Sequence, residues 1–437
     1  MGKIVGYWER GRKEKGQTDL EAIEMQIRKS MHQVGAKLLE KLLWEEGTGY
    51  RGSKLECNGF HTYRYVEDRE KELVTVLGTI RVKRAYYYDA VCKQGKYPRD
   101  AELDIEGSDY SPGVRRMMAR MGANRSFALG EEDLMELAGI SVDAKSIERW
   151  SEKLGEEVEA CNAHAFSEEK IFPVIPLKKI PILYVCADGT GVPVVRGETK
   201  GRKGKAEDGM ARTREAKLGC VFTQTTLDQE GRPLRDENST SYTGAIETAD
   251  EFSCRLEAEA VRRGIKHAQR VCMIGDGAAW IWRIASERFP RAIQIIDLYH
   301  AREHYWKVAH EAFSHHPKRK QEWTDLRKEE LEKGRPDQVA KAIRKLIPKG
   351  KEKKHPYATE ANYFESNASR MKYDQFRAQG LFVGSGVLEA GCRAVIGQRL
   401  KQSGMHWTVK GANAIIALRA CFASNRWEDF WESRCAA

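Results

Sequence analysis

The chain has 437 residues, 41% hydrophobic and 32% charged, with 74 Lys and Arg against 64 Asp and Glu for a formal net charge of +10. That length allows two or three domains with a sizeable core, and the basic balance suits a polyanionic partner without identifying one. The chain has no run of about 18 apolar residues and no apolar stretch in Met1 to Gln17, which argues against a membrane span and a signal peptide.

The ten cysteines stand singly, with no Cys-x-x-Cys pair, which is the usage of a reduced protein. Action in the cytoplasm or on the nucleoid is expected.

Residues 18 to 46 place Leu20, Ile23, Ile27, Met31, Val34, Leu38, Leu39 and Leu42 mostly three and four apart. This predicts one amphipathic helix packing through that stripe, started by a Thr18/Glu21 capping box and ending near Gly47. Leu73 to Tyr88 reads as a β-hairpin around Gly78, with Arg81 and Lys83 on one face. Glu131 to Leu137, Gly139 and then Ala144 to Leu154 give helix, turn and helix. That pattern fits a helix-turn-helix, whose second helix can enter the major groove, and equally an ordinary αα-hairpin. Lys145, Arg149 and Lys153, four apart on one face, favour nucleic acid slightly.

Cys161 to Lys179 reads as a linker, because Pro173, Pro176 and Pro181 interrupt regular structure. Ile182 to Ala187 is then an apolar strand, expected to end at Asp188 before Gly189-Thr190-Gly191. Such a strand solvates no carboxylate inside itself, so the acid is expected at its exit, facing a cleft. Arg196 to Lys217 reads as a basic loop near that cleft. Leu218 to Thr225 with a partner stretch to Tyr242 forms a hairpin around Asp228 to Gly231, and Ala245 to Arg263 is helical.

The acid pattern returns in Val271 to Gly277, a second apolar strand ending in Asp276 and glycine. Helix Ala278 to Phe289 and strand Ala292 to Asp297 follow. The element order predicts a mixed α/β sheet of the RNase H type, in which the first and fourth strands are neighbours and Asp188 meets Asp276. Close carboxylates repel unless a cation lies between them, and Mg²⁺ is commonly held by one or two carboxylates. Each Asp-Gly alone also fits a simple turn cap.

From Tyr299 to Lys372 the pattern is long, charged and helical, an inserted all-helical lobe containing the basic run Lys349 to His355. The final helix is predicted from an N-cap at Ser385 to Gln402, ending at Gly404, with Glu389 in its first turns.

The stretches Ala187-Asp188-Gly189-Thr190-Gly191-Val192-Pro193, Gly275-Asp276-Gly277-Ala278-Ala279-Trp280-Ile281-Trp282, Asp297-Leu298-Tyr299-His300, Gly384 to Cys392 and Arg399 to Trp407 resemble bacterial insertion-sequence transposases of the ISKra group, within the Mutator-like DDE class. The resemblance runs from about Cys57 to Trp431. It implies an RNase H-like core interrupted by a helical insertion, with Asp188, Asp276 and Glu389 as the DDE triad. Asp297 and His300 form the Asp-x-x-His signature of this class.

Relatives tend to carry paired cysteines that look like a zinc ribbon near the N-terminus. Here only Cys57 and Cys92 remain, with His61 and Asp89 nearby; these four could still supply zinc ligands, but loss of zinc is expected, the hairpin packing through Tyr86 to Tyr88 instead.

The expected organisation is a degenerate zinc-ribbon-like helix and hairpin region (1–105), a helix-turn-helix-like region (106–165), a first part of the core (180–298), the helical insertion (299–375) and the C-terminal core helices (376–437). The expected cofactor is a pair of Mg²⁺ or Mn²⁺ ions, bridged by Asp188 and flanked by Asp276 and Glu389, which would serve cleavage and strand transfer by in-line phosphoryl transfer. The expected partners are double-stranded DNA, both element ends and target, and further copies of the chain in a homodimer or higher oligomer.

Arg393, Arg399 and Lys401 are assigned to phosphates and Trp407, otherwise a core residue, to a displaced base. Two alternatives share much of this pattern: an RNase H-like nuclease or resolvase that cuts without joining, and a non-catalytic DNA-binding regulator.

Overall fold

The structure is a computed structural model that describes residues 19–57, 61–167, 179–204, 209–348, 350 and 355–435. It is mixed α/β, with sheets of four, five and two strands. The chain divides into two units, Met1–Ser151 and Glu152–Ala437. None of the described helices is long and apolar enough to cross a membrane.

The first element of this unit among the described residues is α1 (Leu20–Glu45), capped by Asp19, whose side chain accepts the Ala22 N–H. Thr18 lies outside the described residues. The predicted stripe is not the packing face: Leu20, Ile27, Met31, Val34, Leu38 and Leu42 are exposed. Instead Ala36, Leu39 and Leu43 pack on Leu73, Ile80 and Val82.

Those three belong to a sheet ordered β1-β2-β3-β4, with β1 (Lys54–Cys57), β2 (His61–Thr75), β3 (Gly78–Asp89) and β4 (Gln94–Lys96). The hairpin turns at Gly78 as predicted, but β2 begins twelve residues earlier than Leu73. Arg81 and Lys83 share the exposed face of β3. Tyr87 is fully buried and donates its hydroxyl to Gly52 O at 2.9 Å. Asp89 caps the turn after β3, accepting the Val91 and Cys92 N–H groups, and Cys92 is exposed. The side chains of Cys57 and His61 lie outside the described residues.

Two short helices, α2 (Pro98–Glu102) and α3 (Pro112–Asn124), precede α4 (Phe127–Asp133). α4 continues as a π-turn (Leu134–Ala138) that stops at left-handed Gly139, φ +66°. The helix thus starts four residues earlier than the sequence pattern suggests. Asp143 then caps α5 (Ala144–Ser167), accepting the Ser146 N–H at 2.8 Å and its hydroxyl at 2.7 Å. α5 runs seven residues into the expected linker, of which 168–178 lie outside the described residues.

The second unit is built on a five-stranded sheet ordered β11-β10-β5-β6-β9. Its strands are β5 (Ile180–Pro193), β6 (Thr213–Gln224), β9 (Ser241–Ala245), β10 (Ala268–Gly275) and β11 (Ile293–Ile296). β5, β6 and β9 are antiparallel, while β10 runs parallel to both β5 and β11. Strands 7 and 8 (Thr226–Leu227 and Pro233–Leu234) form a small ribbon at the tip of the predicted 218–242 hairpin.

The basic stretch after β5 is shorter than expected, because Thr213 to Lys217 are already in β6. Lys217 is buried and donates to Glu247 O. Helices α6 (Ala249–Arg262) and α7 (Ala279–Arg288) flank β10 in the sequence. α6 begins with a complete Thr248/Glu251 capping box.

The predicted all-helical stretch comprises α8 (Leu298–Ala312), α9 (Pro317–Glu332), α10 (Pro336–Arg344), α11 (Pro356–Ser366) and α12 (Tyr373–Ala378). Of the run Lys349 to His355, residues 349 and 351–354 lie outside the described residues. The chain then forms α13 (Gly386–Gly391), a π-turn (Cys392–Gly397), α14 (Gln398–Leu400), α15 (Val409–Ala423) and α16 (Trp427–Cys435).

Candidate active site

β5 and β10 pair in parallel register as far as Ala187 with Gly275. β10 ends there, whereas β5 continues for six residues, paired on its other flank with β6 from Asp188/Leu218 to Pro193/Thr213. Asp188 is therefore not at the end of its strand, as the sequence pattern suggests. It sits where one flank of a long strand loses its partner, one residue beyond a paired position, and Asp276 is one residue beyond the matching position. Neighbouring strands lie about 4.8 Å apart, so the two acids stand side by side, Asp188 still paired with Leu218 on β6.

The Asp188 carboxylate is half-buried and accepts the Gly189 N–H at 2.6 Å and the Cys392 thiol at 3.4 Å. Burial, reinforced by the charge of Asp276, holds it above the usual carboxylate range, while those two hydrogen bonds and His300 pull in the other direction. Asp276 does cap its turn, since Oδ1 accepts the Ala278 N–H at 2.8 Å. The turn-cap and cleft-facing readings of that residue are thus compatible, because the capping bond occupies only one carboxylate oxygen.

Its backbone is clamped from α11. The Tyr363 hydroxyl donates to Asp276 O at 2.9 Å, and its ring covers Gly277, where a Cβ would fall 2.6 Å from Tyr363 Cε2. Gly277 has φ +108°, a conformation that L side chains disfavour. His304 stacks on Tyr363 with centroids 3.7 Å apart. The His304 Nδ1 lies 2.5 Å from Glu360, which Lys307 also engages at 2.7 Å.

Glu389 lies on α13 with its carboxylate exposed. Partial burial, then the charges of Asp297, Glu303 and Asp188, raise its pKa, while His300 opposes them. Asp188 thus feels the charge of Asp276, and Glu389 that of Asp188, with His300 acting on both Asp188 and Glu389. α13 is seated by small residues: at Gly391 a Cβ would meet Tyr242 Cε1 at 2.3 Å, and the Tyr242 hydroxyl donates to Val387 O at 3.2 Å. The π-turn that follows leaves carbonyls free of their normal partners. Arg419 Nε donates to two of them, Ala394 O and Val395 O.

Asp297 fixes where α13 begins. It is 2% exposed, and one oxygen caps α8 by accepting the Tyr299 and His300 N–H groups at 2.7 and 2.9 Å. Its other oxygen accepts both the N–H and the hydroxyl of Ser385. Ser385 is consequently not a side-chain cap for its own helix, contrary to expectation, because its hydroxyl is committed to Asp297.

The residues assigned to DNA separate into two classes. Lys145, Arg149 and Lys153 are exposed along α5, and Lys145 pairs with Glu148 at 2.7 Å. Arg393 and Lys401 are exposed as well, and Lys401 donates to Thr190 Oγ1 on β5. Arg399 is instead fully buried. Its guanidinium lies 4.8 Å over the Trp407 ring and donates to the Met405 sulfur, and burial and nearby Arg419 push its pKa down to about 10. Arg399 thus braces the core and does not present a charge to phosphate. Trp407 is also buried, its indole N–H donating to Leu400 O at 3.1 Å, so it packs where a stacking role would need it exposed.

Among the described residues, no three His, Cys, Asp or Glu side chains stand close enough together to hold a metal ion. Tyr363 and Cys392 were not singled out by sequence reasoning. Cys392 lay within a quoted motif, but nothing near Tyr363 signals a partner 87 positions away.

The model of an uncharacterised protein family (UPF0236) matches residues 13–430. No curated protein matches the chain.

Proposed function

The chain belongs to that uncharacterised family, and we propose that it is a DDE transposase of an insertion sequence, of the ISKra group its motifs resemble, cutting and joining DNA on an RNase H-like core. The observation that carries this reading is the adjacency of Asp188 and Asp276, residues 88 positions apart in the sequence, each one residue beyond the paired positions Ala187 and Gly275 on neighbouring strands. The strand order third-second-first-fourth-fifth, with the first three antiparallel, supports the RNase H-like assignment.

The donor set suits Mg²⁺ or Mn²⁺. Two hard-oxygen carboxylates at adjacent strand positions match the one or two that Mg²⁺ usually takes, with water and substrate phosphate completing its shell. Asp188 and Asp276 would hold it, and because no three such side chains among the described residues stand close enough to hold a metal ion, Glu389 would join only through a shift of α13; bound there the ion would neutralise charge developing on the phosphate oxygens.

The chain's own residues prepare that chemistry. Cys392 and Gly189 orient the Asp188 carboxylate, Tyr363 fixes the Asp276 turn, and Asp297 with Ser385 sets the start of the Glu389 helix. Arg393 and Lys401 are placed to meet phosphates. The protein would work on the nucleoid as a dimer or higher oligomer. The exposed stripe of α1, with Ile27, Met31, Val34 and Leu38 alternately four and three apart, has the spacing with which helices of two copies pair.

The test uses duplex DNA carrying the element's ends and a divalent cation. The native chain should nick the ends and join them to target, and Asp188→Asn should bind DNA but do neither. Full cleavage by Asp188→Asn would refute the assignment, and cutting of ends without joining of pre-cleaved ends would make the protein a nuclease.

A further inference from the structure

The side of α1 turned away from its sheet carries an order of its own. Alternate steps of four and three residues from Leu20 to Glu45 meet only exposed side chains, apolar at Leu20, Ile27, Met31, Val34 and Leu38 and charged at Glu24, Lys41 and Glu45. Such steps mark the seam along which two helices wind round each other, and here the seam runs the full length of the helix. The rest of α1 is tied down. Ala36, Leu39 and Leu43 pack on the sheet, and Arg28 donates to Glu136 O and Leu137 O.

The charges on the seam are arranged end against end. The acid Glu24 stands one step before the apolar centre and the base Lys41 one step after it. Two such helices laid parallel and in register would set Glu24 against Glu24, Lys41 against Lys41 and Glu45 against Glu45, all repulsive. Laid antiparallel about a twofold axis between Met31 and Val34, they set Met31 against Val34, Ile27 against Leu38 and Glu24 against Lys41, each contact occurring twice. Leu20 then meets Glu45 at the rim, where the carboxylate stays in water. Within one chain Lys41 reaches Glu45 only at 3.7 Å, with both side chains mostly in solvent, so its ammonium can engage a second acid at little cost.

The apolar area is sufficient for a stable pair. The five apolar seam residues and Leu42 beside them are 45 to 63% exposed, which leaves on the order of 100 Å² of each in water. Covering them on two copies removes on the order of 1,000 Å², the size at which a specific interface begins.

We propose that α1 is the contact surface for a second copy of this chain, the two helices running antiparallel with Glu24 of each paired to Lys41 of the other. The contact is isologous and uses the whole seam of both copies, so it closes at two and adds no third. The pairing rests on the reading that copies of the chain associate through α1, and gives that association its direction, register and stoichiometry; it does not depend on the DNA chemistry.

Sedimentation equilibrium of the full chain tests it, on the native protein, Glu24→Lys, Lys41→Glu and the double variant Glu24→Lys/Lys41→Glu. Melting of each variant at a concentration where the native protein is monomeric checks that the fold is kept. The native chain should form a dimer and nothing larger. Each single variant turns two attractions into two repulsions and should weaken the dimer about tenfold, whereas the double variant, with lysine again facing glutamate, should return to within about threefold of native. Glu24→Gln, a milder change for the helix, should weaken the dimer about threefold. In a parallel pair Glu24→Lys would only exchange one like pair for another, and neither single variant would differ from native.

Indifference to all of these variants, with association lost in Met31→Lys/Val34→Lys, would overturn the antiparallel pairing and leave α1 as the contact. A native chain that stays monomeric, or association that survives Met31→Lys/Val34→Lys, would sink both. An antiparallel dimer of a chain that cuts no element ends would leave this interface standing and sink the transposase reading.

Discussion

The N–H and hydroxyl of Ser385 converge on one carboxylate oxygen of Asp297, 88 positions earlier in the chain. Through that contact the residue capping α8 also determines where the helix carrying Glu389 begins. Leu298 N–H, donating to Val383 O at 2.9 Å, adds a second tie between the same two segments.

Asp297→Ala should therefore damage both helices at once. It would leave the buried Ser385 N–H unsatisfied, about 1 to 3 kcal/mol, and remove a cap worth about 1 kcal/mol. Thermal melting should fall accordingly, and DNA cleavage should be lost. In Asp297→Asn one carboxylate oxygen becomes an NH₂ donor, and whichever way the amide turns it faces N–H groups that need acceptors. That variant should melt well below the native protein too.

Asp188 illustrates a conflict between stability and function. Burial and the neighbouring Asp276 raise its pKa in the folded state, so the folded protein holds a proton that the unfolded chain has released. As pH rises from the ordinary carboxylate value through the raised one, stability is lost. Removing the charge reverses this, and Asp188→Asn should melt higher by on the order of 1 kcal/mol of stability while cleaving nothing. Divalent cation should raise the melting point of the native chain more than that of the variant. For the same reason cleavage should fall as pH drops through the raised carboxylate values of Asp188 and Glu389, a pH–rate profile that Asp188→Asn cannot show.

Tyr363 acts on Asp276 only through the backbone. Tyr363→Phe keeps the ring over Gly277 and the stack on His304, so it should fold normally yet cut more slowly, by about fivefold, the equivalent of one hydrogen bond of about 1 kcal/mol. Gly277→Ala places a Cβ against that ring at positive φ and should cost stability as well. Kinetics and melting on the two variants distinguish positioning from packing.

The three basic residues after the π-turn should behave differently. Arg393→Ala and Lys401→Ala should each reduce the salt slope of DNA binding by about 1 without changing melting. Arg399→Ala should leave the slope intact and lower the melting temperature, because its guanidinium is buried against Trp407.

Association through α1 is checked by sedimentation. Met31→Lys with Val34→Lys should weaken self-association at least tenfold, since each removes an apolar contact worth about 1.5 kcal/mol or more.

Elements buried on both faces were legible in the sequence: β10, β11 and the helix between them lie within a few residues of their apolar patterns, and β5 lies beside β10 as the element order predicts. β2 was not, because Glu67 to Glu72 are all charged and show no alternation of apolar and polar residues. In the folded chain those charges sit opposite partners on β3, Glu70 beside Lys83 and Glu72 beside Arg81, and such pairs stabilise a strand that has no apolar run.

The exposed stripe of α1 misled for a related reason: periodicity shows that a helix has an apolar face but not which neighbour covers it. The burial of Arg399 was equally hidden, because a π-turn shifts helical phase and leaves no mark in composition. Of the candidate site, the adjacency of Asp188 and Asp276 was readable from the element order, whereas Glu389 was assigned from a family likeness. Asp297's hold on Ser385 and the Tyr363 clamp were not, since each is a contact between segments that share no pattern.

The flush pairing of β5 on both flanks up to Ala187 has a consequence for how this gene can change length. Adding or deleting one residue between Ile180 and Asp188 would flip the acid to the opposite face of the sheet, so that stretch should tolerate no indels. Past Pro193 no such parity applies, and insertions between there and Thr213 should leave the acids in place.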